Sequence, residues 1–458
     1  MLELDFVLDS MNGKIVSGLG KGNFSGVSTD SRKVRGGEIF FALRGDNFDG
    51  HEFVDEALGK GAGAAVIETG GHQRANGKLL IGVPSTLRAL GDLASSWRKG
   101  FPDLKLAAIT GSNGKTTTKE MVWSIVSQKH PTLKNTGNFN NLIGLPLTLL
   151  GLNESFRAAV VELGMNDFGE IRRLAEIADP DVGAITNIGR AHLEKLGGID
   201  GVARAKGELV ESFEGGRTFV VNADDPRIAQ IAENTKCDKI TYGLKSPGTM
   251  LSARKIEQNE FSGIGFLMCI EGTEFPVELT GIGIHNVMNA LCASGIALSL
   301  GCGKEEIKSG LETFTPEHMR LEVVESPRGF RIINDTYNAN PESMRSAIDE
   351  LVKLKGGGRA IAVLGDMLEL GAASGKEHAG LGEYLSALGV DYVVACGKFG
   401  SSILNGAGNA VEGSLAATHG EAADIVKAIA KPGDLVLIKG SRGSRMEEVT
   451  KILVEGIS

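Results

Sequence analysis

Thr110-Gly111-Ser112-Asn113-Gly114-Lys115-Thr116-Thr117 follows the apolar run Leu104 to Ile109 and opens a helical pattern through Met121, Val122 and Ile125. The spacing reads as a strand, a phosphate loop and a helix. Gly111 and Gly114 let the backbone turn with its N–H groups facing inward, the helix adds the positive end of its dipole, and Lys115 adds a mobile ammonium. Thr116 supplies the hydroxyl usually found on Mg²⁺. The common nucleotide-binding spacing would put a third glycine where Ile109 stands, so this is a shortened form of that loop. The plainer alternative is a glycine-rich turn before an ordinary helix.

Working outward, 458 residues exceed what one core can organise, and three domains are expected. A 42% hydrophobic content suits a folded protein with ample apolar surface to bury. Aromatic residues make up only 5%, which disfavours stacking platforms for single-stranded nucleic acid, and a net charge of −9 without a long basic run makes nucleic acid a poor partner. An anionic substrate must therefore be held by local positive sites. The N-terminal Met1 to Asp5 carries acidic residues where a signal peptide needs basic ones, and no apolar run approaches a membrane span, so a cytoplasmic chain is expected. Cys237, Cys269, Cys292, Cys302 and Cys396 are odd in number and form no C-x-x-C pair, which points to small buried hydrophobes rather than disulfides or zinc.

The segment before Pro84 alternates short apolar runs with turns, as in Ile39 to Leu43, Phe53 to Leu58 and Ala64 to Ile67, and reads as a small α/β domain. Ser85 caps a helix reaching Trp97. Strand-like runs at Ala158 to Glu162, Val182 to Thr186 and Thr218 to Asn222, separated by helical stretches, predict a parallel sheet around the phosphate loop. Gly263 to Ile270 and Glu274 to Leu279 alternate like an antiparallel patch, and a helix is expected from Asn286 to Leu300. After Thr315-Pro316 a third α/β pattern places strands at Phe330 to Ile333, Ala360 to Leu364, Tyr392 to Ala395 and Leu435 to Ile438. The expected domains are thus 1–84, 85–314 and 315–458.

Open parallel sheets bind ligands beyond the C-terminal ends of their strands, and the polar residues gather there. Glu162 ends one strand and is either a Mg²⁺ carboxylate or a solvated strand end. His192, after the Thr186 to Arg190 loop, completes such a shell or is a hydrogen-bonded loop histidine. Lys206, in a helical stretch of small and charged residues, reads by itself as a surface lysine. Asn222 to Pro226 is a ligand edge or an Asx turn, and Asn286 is an adenine contact or an N-cap. Arg320 reaches a phosphate or forms an interdomain ion pair. Asp335, Tyr337, Asn338 and Asn340 crowd the end of one strand, with Gly365-Asp366-Met367 and Lys439-Gly440-Ser441-Arg442 ending two others. Together they form a candidate second binding surface, where Arg442 can anchor a carboxylate.

With the phosphate loop, Glu162, the His192 loop, Lys206, the His285-Asn286 helix start and Asp335 in this order, the chain resembles the ATP-dependent Mur ligases over essentially its full length. Folylpolyglutamate synthase shares the nucleotide loop. More discriminating are Asn334 to Pro341, Gly365-Asp366-Met367-Leu368-Glu369-Leu370-Gly371 and Ser28-Thr29-Asp30-Ser31-Arg32, which resemble the members that add D-alanyl-D-alanine. The resemblance implies an N-terminal UDP-sugar domain, a central ATPase domain with a parallel sheet and a C-terminal Rossmann-like domain. It implies an enzyme of peptidoglycan precursor synthesis; a monomer is expected, although the sequence itself leaves the oligomeric state unread. ATP would phosphorylate the terminal carboxylate of UDP-N-acetylmuramoyl-tripeptide, and the amine of D-Ala-D-Ala would displace the phosphate.

By motif position, Gly111, Asn113, Gly114, Lys115, Thr116 and Thr117 resemble the nucleotide loop, with Asn286 at adenine, Asp335 at ribose and Arg320 at phosphate. Thr116, Glu162 and His192 match Mg²⁺-site residues, and Lys206 matches a lysine that relatives carbamylate to ligate or orient Mg²⁺. Lys115, Lys206, His192 and Arg320 are the implied catalytic set. Asn140 and Asn141 match a segment near phosphate and substrate; Ser31, Arg32, Asp46, Asn47 and Asp49 fall where relatives bind the UDP-sugar. Two other readings stay open: a different amide ligase, such as the diamino-acid-adding enzyme or folylpolyglutamate synthase, and a nucleotide-dependent regulatory protein without ligase chemistry. The sequence leaves unread whether the third peptide residue is diaminopimelate or lysine.

Overall fold

The computed structural model describes residues 1–19, 22–45, 48–70 and 77–455. They fall into two compact units, Met1–Ile109 with His130–Gly183, and Thr110–Lys129 with Ala184–Ser458.

In the first unit, strands Lys14–Ser17, Leu80–Val83, Ala64–Glu68, Ile39–Phe41 and Val27–Ser28 form a five-stranded sheet in that order. The Lys14–Ser17 strand is antiparallel to its neighbour, and the rest are parallel. Ile39 and Phe41 enter one core with Leu4, Val7 and Leu90, while Phe40 and Ala42 enter another with Val54 and Leu58. The period of two, with both faces covered, explains why this strand is apolar throughout. Ser85 caps the helix Thr86–Lys99 as expected, accepting the Arg88 N–H, and the helix gives Ala89, Leu90 and Leu93 to the first of these cores. The same unit holds the parallel set Thr132–Lys134, Ala158–Glu162 and Lys105–Thr110, with Ile109 opposite Glu162.

The second unit begins with the phosphate loop and helix Lys115–Val126. Strands Thr218–Asn222 and Asp238–Tyr242 pair in parallel, and an antiparallel meander follows through Leu251–Asn259, Gly263–Ile270 and Thr273–Thr280. The first strand of that meander was not expected. Its Arg254, Lys255 and Glu257 are exposed or part-exposed and a register shift interrupts it, so its apolar alternation is too weak to read. Helix His285–Ser299 buries Val287, Ala290, Leu291, Ile296 and Ala297.

Within the same unit, Glu322–Glu325 pairs antiparallel with Arg331–Asp335, and Leu435–Lys439, Ala360–Leu364, Tyr392–Cys396 and Glu412–Ala416 continue the sheet in parallel. Ile333, Ala362 and Leu437 pack against Met344, Ile348 and Leu351 of helix Pro341–Leu354; Ile332, Val436 and Ile438 pack with Val449 and Leu453 on the opposite face. This is the Rossmann-like arrangement, and it brings Asp335, Gly365 and Lys439 to one edge. All five cysteines are free, and four are buried; Cys269 is only partly so, a correction to the expectation of five buried hydrophobes, because it lies in a strand whose alternate residues face outward.

Candidate active site

The phosphate loop is built by two close approaches that exclude side chains. Gly111 has φ +151°, and a Cβ there would lie 1.9 Å from Thr186 Oγ1; Gly114 has φ +78°, and its Cβ would lie 2.4 Å from Asn289 Oδ1. The loop after strand Val182–Ile185 braces it. Asn187 accepts the Asn113 N–H at 2.9 Å and donates to the Asn113 carbonyl at 3.0 Å, Thr186 Oγ1 donates to the same carbonyl at 2.6 Å, and Ser112 Oγ receives the Gly189 N–H at 2.8 Å. Asp225 fixes that brace in turn by accepting the Ile188 N–H while capping helix Pro226–Glu233, so the Asx reading of Asn222 to Pro226 holds.

Lys115 folds over the loop and donates to the Gly111 carbonyl at 2.9 Å. Lys206, on helix Ile199–Gly207, donates to the same carbonyl at 2.8 Å and is only 2% exposed, which overturns its reading as a surface lysine. Thr116 is buried and Thr117 half-buried in the first turn of the helix. Arg320 donates to Thr116 Oγ1 at 2.8 Å and pairs with Glu317 at 3.6 Å. Asn340 Nδ2 donates to Asn113 Oδ1 at 2.8 Å while its Oδ1 caps helix Pro341–Leu354 through the Ser343 N–H. Asn286 is the second residue of its helix, bonded to the Ile282 carbonyl and to Asn289, so it is not the N-cap; Ile284 is.

His192 adopts a left-handed φ of +55°, and its Nδ1 lies 2.7 Å from Glu369, which has φ +63°. The hydrogen bond to His192 holds the Glu369 carboxyl below its usual range against the opposing effect of burial. Two strained residues that meet each other mark a site held by its surroundings. Arg190 beside them pairs with Glu377 at 2.8 Å, and its N–H reaches Glu342.

At the edge of the Rossmann-like sheet, Lys439 is buried and donates to Asp335 Oδ2 at 2.6 Å and to the Asn338 carbonyl at 2.9 Å. Its ammonium therefore holds the motif together. Asn338 Oδ1 receives the Ala339 and Arg442 N–H groups. Ser441 bonds the Ala339 carbonyl and the Leu368 N–H, tying two strand-end loops. The Arg442 side chain is 57% exposed and pairs with Glu447 at 3.0 Å. Tyr337 lies under the Arg320 guanidinium, 4.0 Å from ring centroid to Cζ.

In the first unit, Glu162 is 4% exposed, which excludes the solvated strand end; it accepts from Asn140 Nδ2 at 2.8 Å. Asn141 accepts the Ile143 and Gly144 N–H groups and starts the helix Gly144–Leu149. Arg32 forms a two-pronged pair with Asp30, whose carboxyl is lowered to about 2 chiefly by that bond. Ser31 donates to Glu56, and Asp49 bonds Arg44 and caps the short helix Gly50–Phe53 through the His51 N–H. Asp46 and Asn47 lie outside the described residues.

Sequence reading missed Asn187, Glu369 and His378. Asn187 had a signal, since it follows a parallel strand as Glu162 ends one. His378 is buried: its Nδ1 donates to the Ser374 carbonyl and its Nε2 accepts the Met367 N–H, anchoring the loop that carries Glu369. Burial keeps its pKa below the ordinary value.

Among the described residues no group of three or more His, Cys, Asp or Glu side chains could hold a metal ion, and no helix is long and apolar enough to cross a membrane. The Thr116 hydroxyl in the second unit and the Glu162 carboxylate in the first are each oxygen donors of the hard kind that Mg²⁺ takes.

Residues 23–98 match the Mur ligase family, catalytic domain; 109–297 the Mur ligase middle domain; and 319–442 the Mur ligase, glutamate ligase domain. The chain is 37% identical over 433 residues to the UDP-N-acetylmuramoyl-tripeptide–D-alanyl-D-alanine ligase of Bacillus subtilis, covering 94% of this chain and 93% of that protein. A crystal structure of MurF from Acinetobacter baumannii superposes with a TM-score of 0.92 at 34% identity over 99% of both chains. MurF from Thermotoga maritima in complex with ADP gives 0.84 at 30% identity, over 93% of this chain and 96% of that one. The chain belongs to the Mur ligase family.

Proposed function

We propose that this protein is the ATP-dependent ligase that joins D-Ala-D-Ala to UDP-N-acetylmuramoyl-tripeptide. The observation that carries the reading is the hydrogen bond from Asn340 to Asn113, through which the motif that resembles the D-alanyl-D-alanine-adding members meets the phosphate loop. The γ-phosphoryl passes to the tripeptide carboxylate and ADP leaves; the dipeptide amine then attacks the acyl carbon, loses a proton and expels phosphate.

In this mechanism the loop amides, the helix N-terminus and Lys115 hold the phosphates, and Arg320 offsets charge on the transferring group. Asn286 contacts adenine and Asp335 the ribose. Thr116, Glu162 and His192 would hold Mg²⁺, which neutralises nucleotide oxygens when bound. Lys206 is proposed to act as a carbamate, formed when its neutral amine adds CO₂ and releases a proton: the remaining N–H could still donate to the Gly111 carbonyl, and the added carboxylate would offer an anionic oxygen donor to bound Mg²⁺. Lys439 acts by holding Asp335 and Asn338. Asn338, Asn340, Ser441 and Arg442 cradle the dipeptide, and Ser31, Arg32, Asp49, Asn140 and Asn141, with Asp46 and Asn47, serve the UDP-linked substrate.

The domains are assigned as 1–84, 85–314 and 315–458, the first boundary turning on helix Thr86–Lys99, which limited proteolysis would place. We assign a monomer acting in the cytoplasm, where ATP and UDP-linked precursors are available. The test is mass spectrometry of the product formed with ATP, Mg²⁺, D-Ala-D-Ala and UDP-N-acetylmuramoyl-tripeptide ending in diaminopimelate or in lysine. Product from either tripeptide, with matching ADP release, is expected. ADP release without ligated product from both would overturn the assignment.

A further inference from the structure

We infer that Tyr337 is a positioning residue for Arg320, setting the guanidinium at the phosphate loop, rather than a contact to the acceptor dipeptide where its place in the motif first puts it. The inference rests on the proposed function, in which Arg320 meets the transferring phosphoryl. Three observations carry it.

The first is the stack. The Arg320 Cζ lies 4.0 Å from the Tyr337 ring centroid, close enough for the ring to hold the cation by its face. A stacked guanidinium keeps all its N–H groups in its own plane, so the ring fixes its position without consuming a donor. One of those donors meets Thr116 Oγ1 at 2.8 Å, while the buried Nε has no hydrogen-bond partner among the described residues, with the Glu317 carboxylate no nearer than 3.6 Å. A stacked guanidinium with a donor in reserve is prepared for an anion entering edge-on.

The second is the backbone. Met319 and Leu321, on either side of Arg320, both adopt left-handed conformations, φ +62° and +48°. Non-glycine residues hold such angles only where the surroundings dictate them. Here the Met319 N–H bonds Glu322, the Leu321 N–H bonds Asp335 and the Tyr337 N–H bonds the Met319 carbonyl. Tyr337 thus supports Arg320 twice, through its ring and through its main chain.

The third is the distribution of acceptor-side groups. The Ser441 hydroxyl, the Asn338 side chain and the Arg442 N–H bond one another's loops, whereas the Tyr337 ring faces the arginine. One residue within the motif thus serves the phosphoryl end of the reaction.

The experiment is a double-mutant cycle on the full chain. Tyr337→Leu should lower kcat by roughly five- to thirtyfold, the span of a desolvated guanidinium–ring contact, while KM for D-Ala-D-Ala stays within about twofold of the unmutated enzyme. Tyr337→Phe, which keeps the ring, should restore most of that loss. In an Arg320→Ala background, Tyr337→Leu should have no further effect. A rise confined to the dipeptide KM, equal loss in the Phe and Leu variants, or additive losses in the double variant would each overturn the proposal. The same cycle read on the dissociation constant of a non-hydrolysable ATP analogue needs no acceptor. Failure of the unmutated protein to ligate would therefore count against the proposed function alone, and additivity in nucleotide binding against the role of Tyr337.

Discussion

A lysine inside a protein needs partners for its ammonium, and the buried Lys439 and Lys206 of the second unit's site both have them. Lys439 has the Asp335 carboxylate at 2.6 Å and the Asn338 carbonyl at 2.9 Å. Lys439→Ala would leave Asp335 facing a void without its counter-charge, and we expect a loss of about 3 kcal/mol in stability. Because both partners lie in the proposed nucleotide and acceptor sites, KM should rise for ATP and for the dipeptide together. Chemical unfolding and steady-state kinetics check both, and an unchanged unfolding midpoint would refute the clamp. Lys206 donates to the Gly111 carbonyl from a helix that mixes small and charged residues. Lys206→Ala should be inactive and partly rescued by acetate, which supplies the lost carboxylate. Full activity of the unmutated enzyme after CO₂ removal would exclude the carbamate.

Elements differ in how far their own sequence announces them. The phosphate loop, the Ser85 cap and four of the five parallel strands of the last sheet were legible because each depends on neighbours a few residues away: a glycine pair, a capping hydroxyl, an apolar run buried on both faces; the fifth, Glu412–Ala416, is mostly exposed and carries no such run. The meeting of Glu369 with His192 was not legible, and the strand end before Asn187 signals its place but not its bonds to Asn113, because partners remote in sequence leave no local pattern of their contact. The burial of Lys206 was hidden for the same reason. Asp49 shows an element whose cap also titrates. It accepts the His51 N–H and bonds Arg44, and its carboxyl falls from 3.8 to about 2, with the His51 backbone bond the largest cause. A depressed carboxyl stabilises the fold fully above its unfolded value of 3.8, and that contribution is lost as the pH falls through about 2. Asp49→Asn should therefore melt below the unmutated protein at neutral pH, with the gap shrinking as the pH drops from 3.8 toward 2. Thermal melts across that range check the sign, and a gap that widened on acidification would contradict it.

At the scale of the whole molecule, the Rossmann-like sheet's loops meet the phosphate loop and its brace within the second unit through polar contacts, Arg320 to Thr116, Asn340 to Asn113, Arg190 to Glu342 and Glu377, and His192 to Glu369, with Ile282 and Leu193 adding apolar contact to the core of that sheet. The partly exposed ion pairs among them are each worth at most about 1 kcal/mol. A junction so held can be broken and remade by a ligand that contacts both sides, and a nucleotide bound by Lys115 and Asp335 would do that. Closure would also serve the chemistry, since an acyl phosphate must be kept from water until the amine arrives. Hydrogen exchange should accordingly show the amides of the Thr186 to His192 brace and of Asn338 to Ser343 gaining protection together when a non-hydrolysable ATP analogue and UDP-N-acetylmuramoyl-tripeptide are added. The Arg190→Ala and Asn340→Ala variants should bind the analogue while gaining less protection at both segments. Protection confined to Gly111–Thr117, with no change at Asn338 to Ser343, would mean that the loops stay where they are when the nucleotide binds, and that the acyl phosphate is shielded by some other part of the chain.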